Sequence, residues 1–241
     1  MRKSLMRRLT LAFCVLLLSA AGVGSLGAQT VSMQLVNANA NYVMGGVYTS
    51  PYGISINGGS PTLLICDDFL TNISIGQTWT SQVTSLAALQ AGTNPAGTPK
   101  FGNNVTNYAT AAVLAAELMG LGNLATETAG ELSYAIWGVF DPTLLTNNPS
   151  SGEGALTNAE LTAAQNFLKD AKAVVAAATV GGVINLSKIP YLTIYTPDPL
   201  GASQEFLAVS MPEPASMVIL GMDCLGMVGL ALLLRRRARG N

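Results

Sequence analysis

The 241-residue chain ends PEPASMVILGMDCLGMVGLALLLRRRARGN, and no other stretch limits its fold as much. Residues 215–234 form one apolar run broken only by Ser216 and Asp223, and Arg235, Arg236, Arg237 and Arg239 follow at once. At about 1.5 Å rise per residue, a helix of this length matches the roughly 30 Å hydrocarbon core of a bilayer. The run is therefore predicted to be a single C-terminal transmembrane helix. The arginines give it a direction, because such clusters stay on the cytoplasmic side. Asp223, near the middle, costs about 2.5–3.5 kcal/mol on insertion scales, so the helix suits a transient anchor better than a lifelong one. Pro212 and Pro214 hold the segment before it extended, since proline fixes φ and disfavours helix at the preceding residue.

The opposite end carries a second address. Arg2, Lys3, Arg7 and Arg8 precede an apolar stretch, Leu9 to Leu18, and small residues follow up to Ala28. That order is the pattern of a cleaved secretory signal, residues 1–28, read by the Sec export machinery. With the N-terminus exported and the C-terminal arginines retained, residues 29–211 are predicted to form one ectodomain across the membrane.

The charge of that ectodomain differs from the chain's overall −1. It holds four lysines (Lys100, Lys169, Lys172, Lys188) against eleven carboxylates, a net charge of −7. An acidic domain without arginine is not built for nucleic acid. Of three cysteines, Cys14 lies in the signal and Cys224 in the tail helix, which leaves Cys66 with no disulfide partner in the ectodomain.

Hydrophobic spacing predicts an α+β fold, with strands first, then three helices, then closing strands. Thr30 to Ala38 alternates Val31, Met33 and Leu35; YGISINGG and PTLLICDDF read as short strands, with a hairpin turn at Asn57-Gly58-Gly59. Residues 90–104 read as a loop, and a helix is expected from near Asn107 to Met119. A second helix is predicted to open on Thr128 and Glu131 as a capping box, to face inward through Leu132, Ala135, Ile136, Val139 and Phe140, and to stop at Asp141-Pro142. A third opens on Thr157 and Glu160 and carries Leu161, Ala164, Leu168, Ala171, Val175 and Ala178 on one stripe. YLTIYTP and QEFLAVS close the domain as strands.

Met211-Pro212-Glu213-Pro214, the apolar helix and Arg235, Arg236 and Arg237 together resemble the PEP-CTERM sorting signal, with Met217 where many such tails carry Trp. The resemblance makes residues 212–241 a sorting region. It implies recognition of Pro212, Glu213 and Pro214 by an exosortase in the inner membrane, removal of the tail, and release to the cell surface or an exopolysaccharide matrix.

A second resemblance lies in LLICDDF (Leu63 to Phe69) and ELSYAIWGVFDP (Glu131 to Pro142). These are similar to the thioester domains of bacterial surface adhesins, in which a Cys joins the Gln of a Gln-x-Ala-Ile-Trp helix in a protected electrophile. Cys66 matches the Cys, and Ala135-Ile136-Trp137 match the helix. Ser133 stands at the Gln position and has no carboxamide to release ammonia, so a thioester cannot form in that register. From the residues alone, Cys66 is expected as a buried small hydrophobe, and Trp137 and Phe140 as core. Asp67 and Asp68 are expected as a turn or capping pair and are also weak candidates for Ca²⁺ ligands; no cofactor is expected.

Catalysis is not expected. The chain has no histidine, hence no Ser-His or Cys-His pair and no histidine-bound zinc, and no Gly-rich phosphate loop. Glu131 is assigned to capping and Glu117 to a solvated face, which leaves few acids for a glycosidase. Three readings stay open: a structural or binding component of the envelope or polysaccharide matrix, a covalent thioester-like adhesin, and a hydrolase of matrix polysaccharide.

Overall fold

A computed structural model describes residues 29–38, 42–94 and 97–210. Residues 1–28, read from the sequence as a secretory signal, and the Pro-Glu-Pro motif, the apolar run and its arginines lie outside the described residues. Among the described residues, no helix is long and apolar enough to cross a membrane.

The domain is α+β, built as a closed six-stranded barrel with a helical layer against one side. Going round the barrel, the strands are β1 (Thr30–Asn37), β4 (Tyr52–Ile56), β5 (Thr62–Cys66), β10 (Phe206–Ser210), β9 (Tyr191–Asp198) and β6 (Thr78–Ser85), which returns to β1. Every neighbouring pair is antiparallel. Closure leaves no barrel strand with an unpaired edge. Two short hairpins stand outside it, β2 (Val43–Met44) with β3 (Val47–Tyr48), and β7 (Thr179–Val180) with β8 (Val183–Ile184).

Side-chain alternation divides the core in two. Val31, Met33 and Leu35 of β1 point into the barrel with Ile54, Leu64, Cys66, Trp79 and Phe206. The residues between them on β5 and β10, Ile65 and Leu207, face the opposite way into the helical core, as do Leu192 and Ile194 of β9. Strands buried on both faces must be apolar at successive positions, and Leu64-Ile65-Cys66 and Phe206-Leu207 are. β1 is covered on one face only and shows the clean buried–exposed alternation.

The helices are α1 (Leu86–Ala91), α2 (Val105–Met119), α3 (Glu127–Phe140), α4 (Thr143–Thr146) and α5 (Asn158–Ala178). α2 lies between barrel and outer helices and buries Tyr108, Ala109, Ala111, Ala112, Leu114, Ala115 and Leu118. A helix covered nearly all round carries apolar residues nearly all round.

Several expectations need correction. α3 is capped by Thr126, whose side chain accepts from the Ala129 N–H; Thr128 and Glu131 lie inside the helix and form no capping box. α2 begins two residues earlier than expected, capped by Asn104. β6, α1, α4 and the two short hairpins were not expected from the sequence, and Gln90 and Ala91 end α1 instead of opening the loop; β6 mixes Thr, Ser and Gln with one Trp and one Val, and its pairing to β1 and β9 outweighs that weak pattern. The Thr157–Glu160 capping box is present in full.

Candidate functional site

Cys66 ends β5 with its side chain 0% exposed. Its thiol donates to the Asp68 carbonyl (3.2 Å) and accepts from the Asp68 N–H (3.3 Å). The Cys66 N–H donates to Ser50 Oγ (2.9 Å), and its carbonyl accepts from Trp137 Nε1 (3.0 Å). Ser50 in turn donates its N–H to Ser133 Oγ (3.1 Å), and Ser133 gives its hydroxyl proton to the Ala129 carbonyl one turn back in α3 (2.8 Å). Cys66, Ser133 and Trp137 thus meet in one network through Ser50, a residue that nothing in the sequence singled out. Burial, with the Asp67 and Asp68 charges adding to it, pushes the Cys66 thiol well above its ordinary pKa.

The two aspartates part company. Asp68 takes a turn role, its Oδ1 accepting from the Leu70 N–H (3.2 Å), while Oδ2 pairs with Lys100 Nζ. Lys100 also donates to Thr71 Oγ1 (2.7 Å). The Asp67 side chain caps no turn. Its carboxyl is buried, and its side-chain neighbour is another carboxyl, that of Glu205, rather than a donor of the loop. The buried Glu205 carboxylate lies beside it. Glu205 accepts from Tyr108 OH (2.6 Å), Thr196 Oγ1 (2.5 Å) and the Lys100 N–H (2.8 Å). Burial first, then the Glu205 charge, pushes the Asp67 pKa well above the carboxylate range. Among the described residues, no group of three or more His, Cys, Asp or Glu is arranged to hold a metal ion.

The sequence reading passed over Lys100, Tyr108, Thr196 and Glu205 because they come from four separate segments. Two signals were present. Lys100 is the sole cation between Arg8 and Lys169, and Glu205 sits directly before an apolar strand, where a carboxylate needs partners.

Above the Cys66–Asp68 turn lies an open groove of about 270 Å³, lined by Tyr48, Tyr52, Phe69 and Trp137 with Asn72, Glu153 and Gln204. One wall is the β2–β3 hairpin. Its two-residue turn, Gly45-Gly46, has positive φ at both positions (55° and 77°), as the favoured hairpin turn requires. A Cβ on Gly45 would collide with Tyr134 Oη. Tyr134 OH donates to the Met44 carbonyl (3.2 Å), and the Gly154 N–H donates to the Gly45 carbonyl (2.8 Å), so the hairpin is pinned to α3 and to the loop before α5. The floor is an aromatic cluster, with Phe69 5.2 Å from Trp137 and Tyr134 5.0 Å from Trp137 between ring centroids. Gln204 Nε2 donates to the Asp68 carbonyl (3.2 Å), the same oxygen that holds the Cys66 thiol, while Gln204 Oε1 is buried without a partner.

No family model and no curated protein matches the chain. Solved structures similar to it include the N-terminal thioester domain of a surface protein from Clostridium perfringens, at a TM-score of 0.41 and 12% identity over 76% of this chain and 99% of that one. They also include the N-terminal domain of the Streptococcus pyogenes pilus tip adhesin Cpa, at 0.43 and 11% over 76% of this chain and 94% of that one.

Proposed function

We propose that this is an exported protein, carried to the cell surface or extracellular matrix by its terminal signals, where it acts by non-covalent binding or as a structural component. The observation that supports non-covalent action is the state of the Cys66 thiol. It is buried and hydrogen-bonded at both ends to Asp68, and the residue in the matching helix position, Ser133, spends its hydroxyl on Ala129. In this reading the tail is processed by an exosortase at Pro212–Glu213–Pro214, the inner membrane is a transient station, extracellular polysaccharide is the partner, and no reaction is catalysed. Changing Glu213 to Ala then leaves full-length protein in the membrane fraction, while Arg235, Arg236 and Arg237 changed together to Ala scatter the topology. Secretion of a processed Glu213→Ala variant at the wild-type level contradicts it.

One observation favours a second reading, a covalent adhesin. Gln204 offers a carboxamide to the same Asp68 carbonyl as Cys66. A bond between Cys66 Sγ and the Gln204 amide carbon would release one ammonia and block the thiol. Intact mass, with and without Cys66→Ala, separates the two readings.

A further inference from the structure

We infer that the groove above the Cys66–Asp68 turn is a saccharide site that takes a neutral pyranose ring. The inference rests on the reading of the chain as a surface binding protein and names where it binds and what. Tyr48 stands at the rim with 59% of its surface exposed, and Phe69 lies half-buried deeper in. Flat aromatic faces of this kind suit the C–H face of a sugar. Two carboxamides, Asn72 and Gln204, lie on the same groove and carry donors and acceptors for ring hydroxyls.

Gln204 supplies the more pointed observation. It is 8% exposed, and its Oε1 has no partner. A buried acceptor left unpaired costs free energy; Oε1 is closed off from the groove, so a ligand hydroxyl pairs with it only after the Gln204 side chain turns toward the opening. A purely apolar ligand would leave that cost in place.

Charge argues against an anionic occupant, and the rest of the lining, Leu35, Val47, Ile73 and Ile75, is aliphatic. Among the described residues, Glu153 is the single carboxylate on the groove and no Lys or Arg lines it, so a phosphate or uronate would meet a negative group and no counter-charge. An extended peptide binds readily by adding a strand to an open sheet edge; the six barrel strands have none, and the β2–β3 hairpin on the groove wall offers strands of only two residues. The volume, about 270 Å³, falls below the roughly 300–1,000 Å³ of drug-sized sites and suits one ring of a longer glycan.

The test uses the full-length protein in a detergent without a sugar headgroup. Calorimetry or saturation-transfer NMR is run with glucose, N-acetylglucosamine, cellobiose and chitobiose, and with glucuronate and trileucine as contrasts. Saturable binding of a neutral sugar is expected at about millimolar Kd. Tyr48→Ala and Asn72→Ala should each weaken it about tenfold with an unchanged far-UV spectrum. Tyr191→Ala, an exposed ring on β9 away from the groove, should leave it unchanged. Failure of all four neutral sugars to saturate, binding indifferent to Tyr48 and Asn72, or tighter binding of glucuronate or trileucine would each overturn the inference. None of these outcomes touches the export or thiol predictions, which are read by fractionation and mass.

Discussion

A thiol becomes reactive by losing its proton, and the surroundings of Cys66 oppose that loss. Burial and the two following aspartates favour the neutral form, and the Asp68 backbone occupies the sulfur from both sides. Cys66 should therefore resist a maleimide in the folded protein and react within minutes once urea unfolds it; fast native labelling would contradict the buried placement. Cys66→Ala should lower stability by about 1–2 kcal/mol through the void left in the barrel. Glycines give a second residue-scale comparison. Gly45 and Gly58 both have positive φ, but a side chain on Gly45 meets Tyr134 whereas one on Gly58 meets nothing within 4 Å. Gly58→Ala should cost about 1–2 kcal/mol from backbone conformation alone. Gly45→Ala should cost clearly more and also disturb the groove wall. Equal urea midpoints for the two variants would contradict the pinned hairpin.

At the scale of elements, helix caps separate what was legible from what was not. α5 was readable in full, because a Thr157–Glu160 box and a regular apolar stripe point to the same start and the same face. α3 was readable as a helix but not at its first residue. Thr126 and Thr128 are both plausible caps by composition, and only the chain path, with the Thr126 side chain on the Ala129 N–H, decides between them. Thr126→Ala should thus cost about 1 kcal/mol, and Thr128→Ala a few tenths at most; the reverse order in thermal unfolding would refute the assignment. β6 was hidden because its exposed face is threonine and glutamine and its partners, β1 and β9, are far away in sequence. The same reason hid Glu205 and its donors, which only a folded barrel brings beside Asp67. Cys66 and Trp137 were legible as core residues because each sits in an apolar run of the right period. The link between them through Ser50 was not, since it crosses from the stretch before β4 to α3.

For the whole molecule, the buried acids set a pH dependence. Burial and the neighbouring Glu205 charge raise the Asp67 pKa above its unfolded value, so stability should fall as pH rises from the ordinary carboxylate range toward the folded pKa. Glu117 and Glu131, both raised mainly by burial, act in the same direction and more weakly because they are largely solvated. Unfolding midpoints should be higher at about pH 5 than at about pH 8, and Asp67→Asn should flatten that slope and raise stability at the upper end. A rise in stability with pH, unchanged in Asp67→Asn, would contradict the buried neutral carboxyl. The central claim is that the chain is an exported domain with an intact thiol and a disposable tail. The intact mass of the protein recovered from outside its host cell tests it most directly. The account predicts a single species that runs from near residue 29 to the Pro-Glu-Pro region, lacks residues 215–234 and carries Cys66 as a free thiol at full mass. Retention of the apolar tail, or a deficit of one ammonia that disappears with Cys66→Ala, would contradict it.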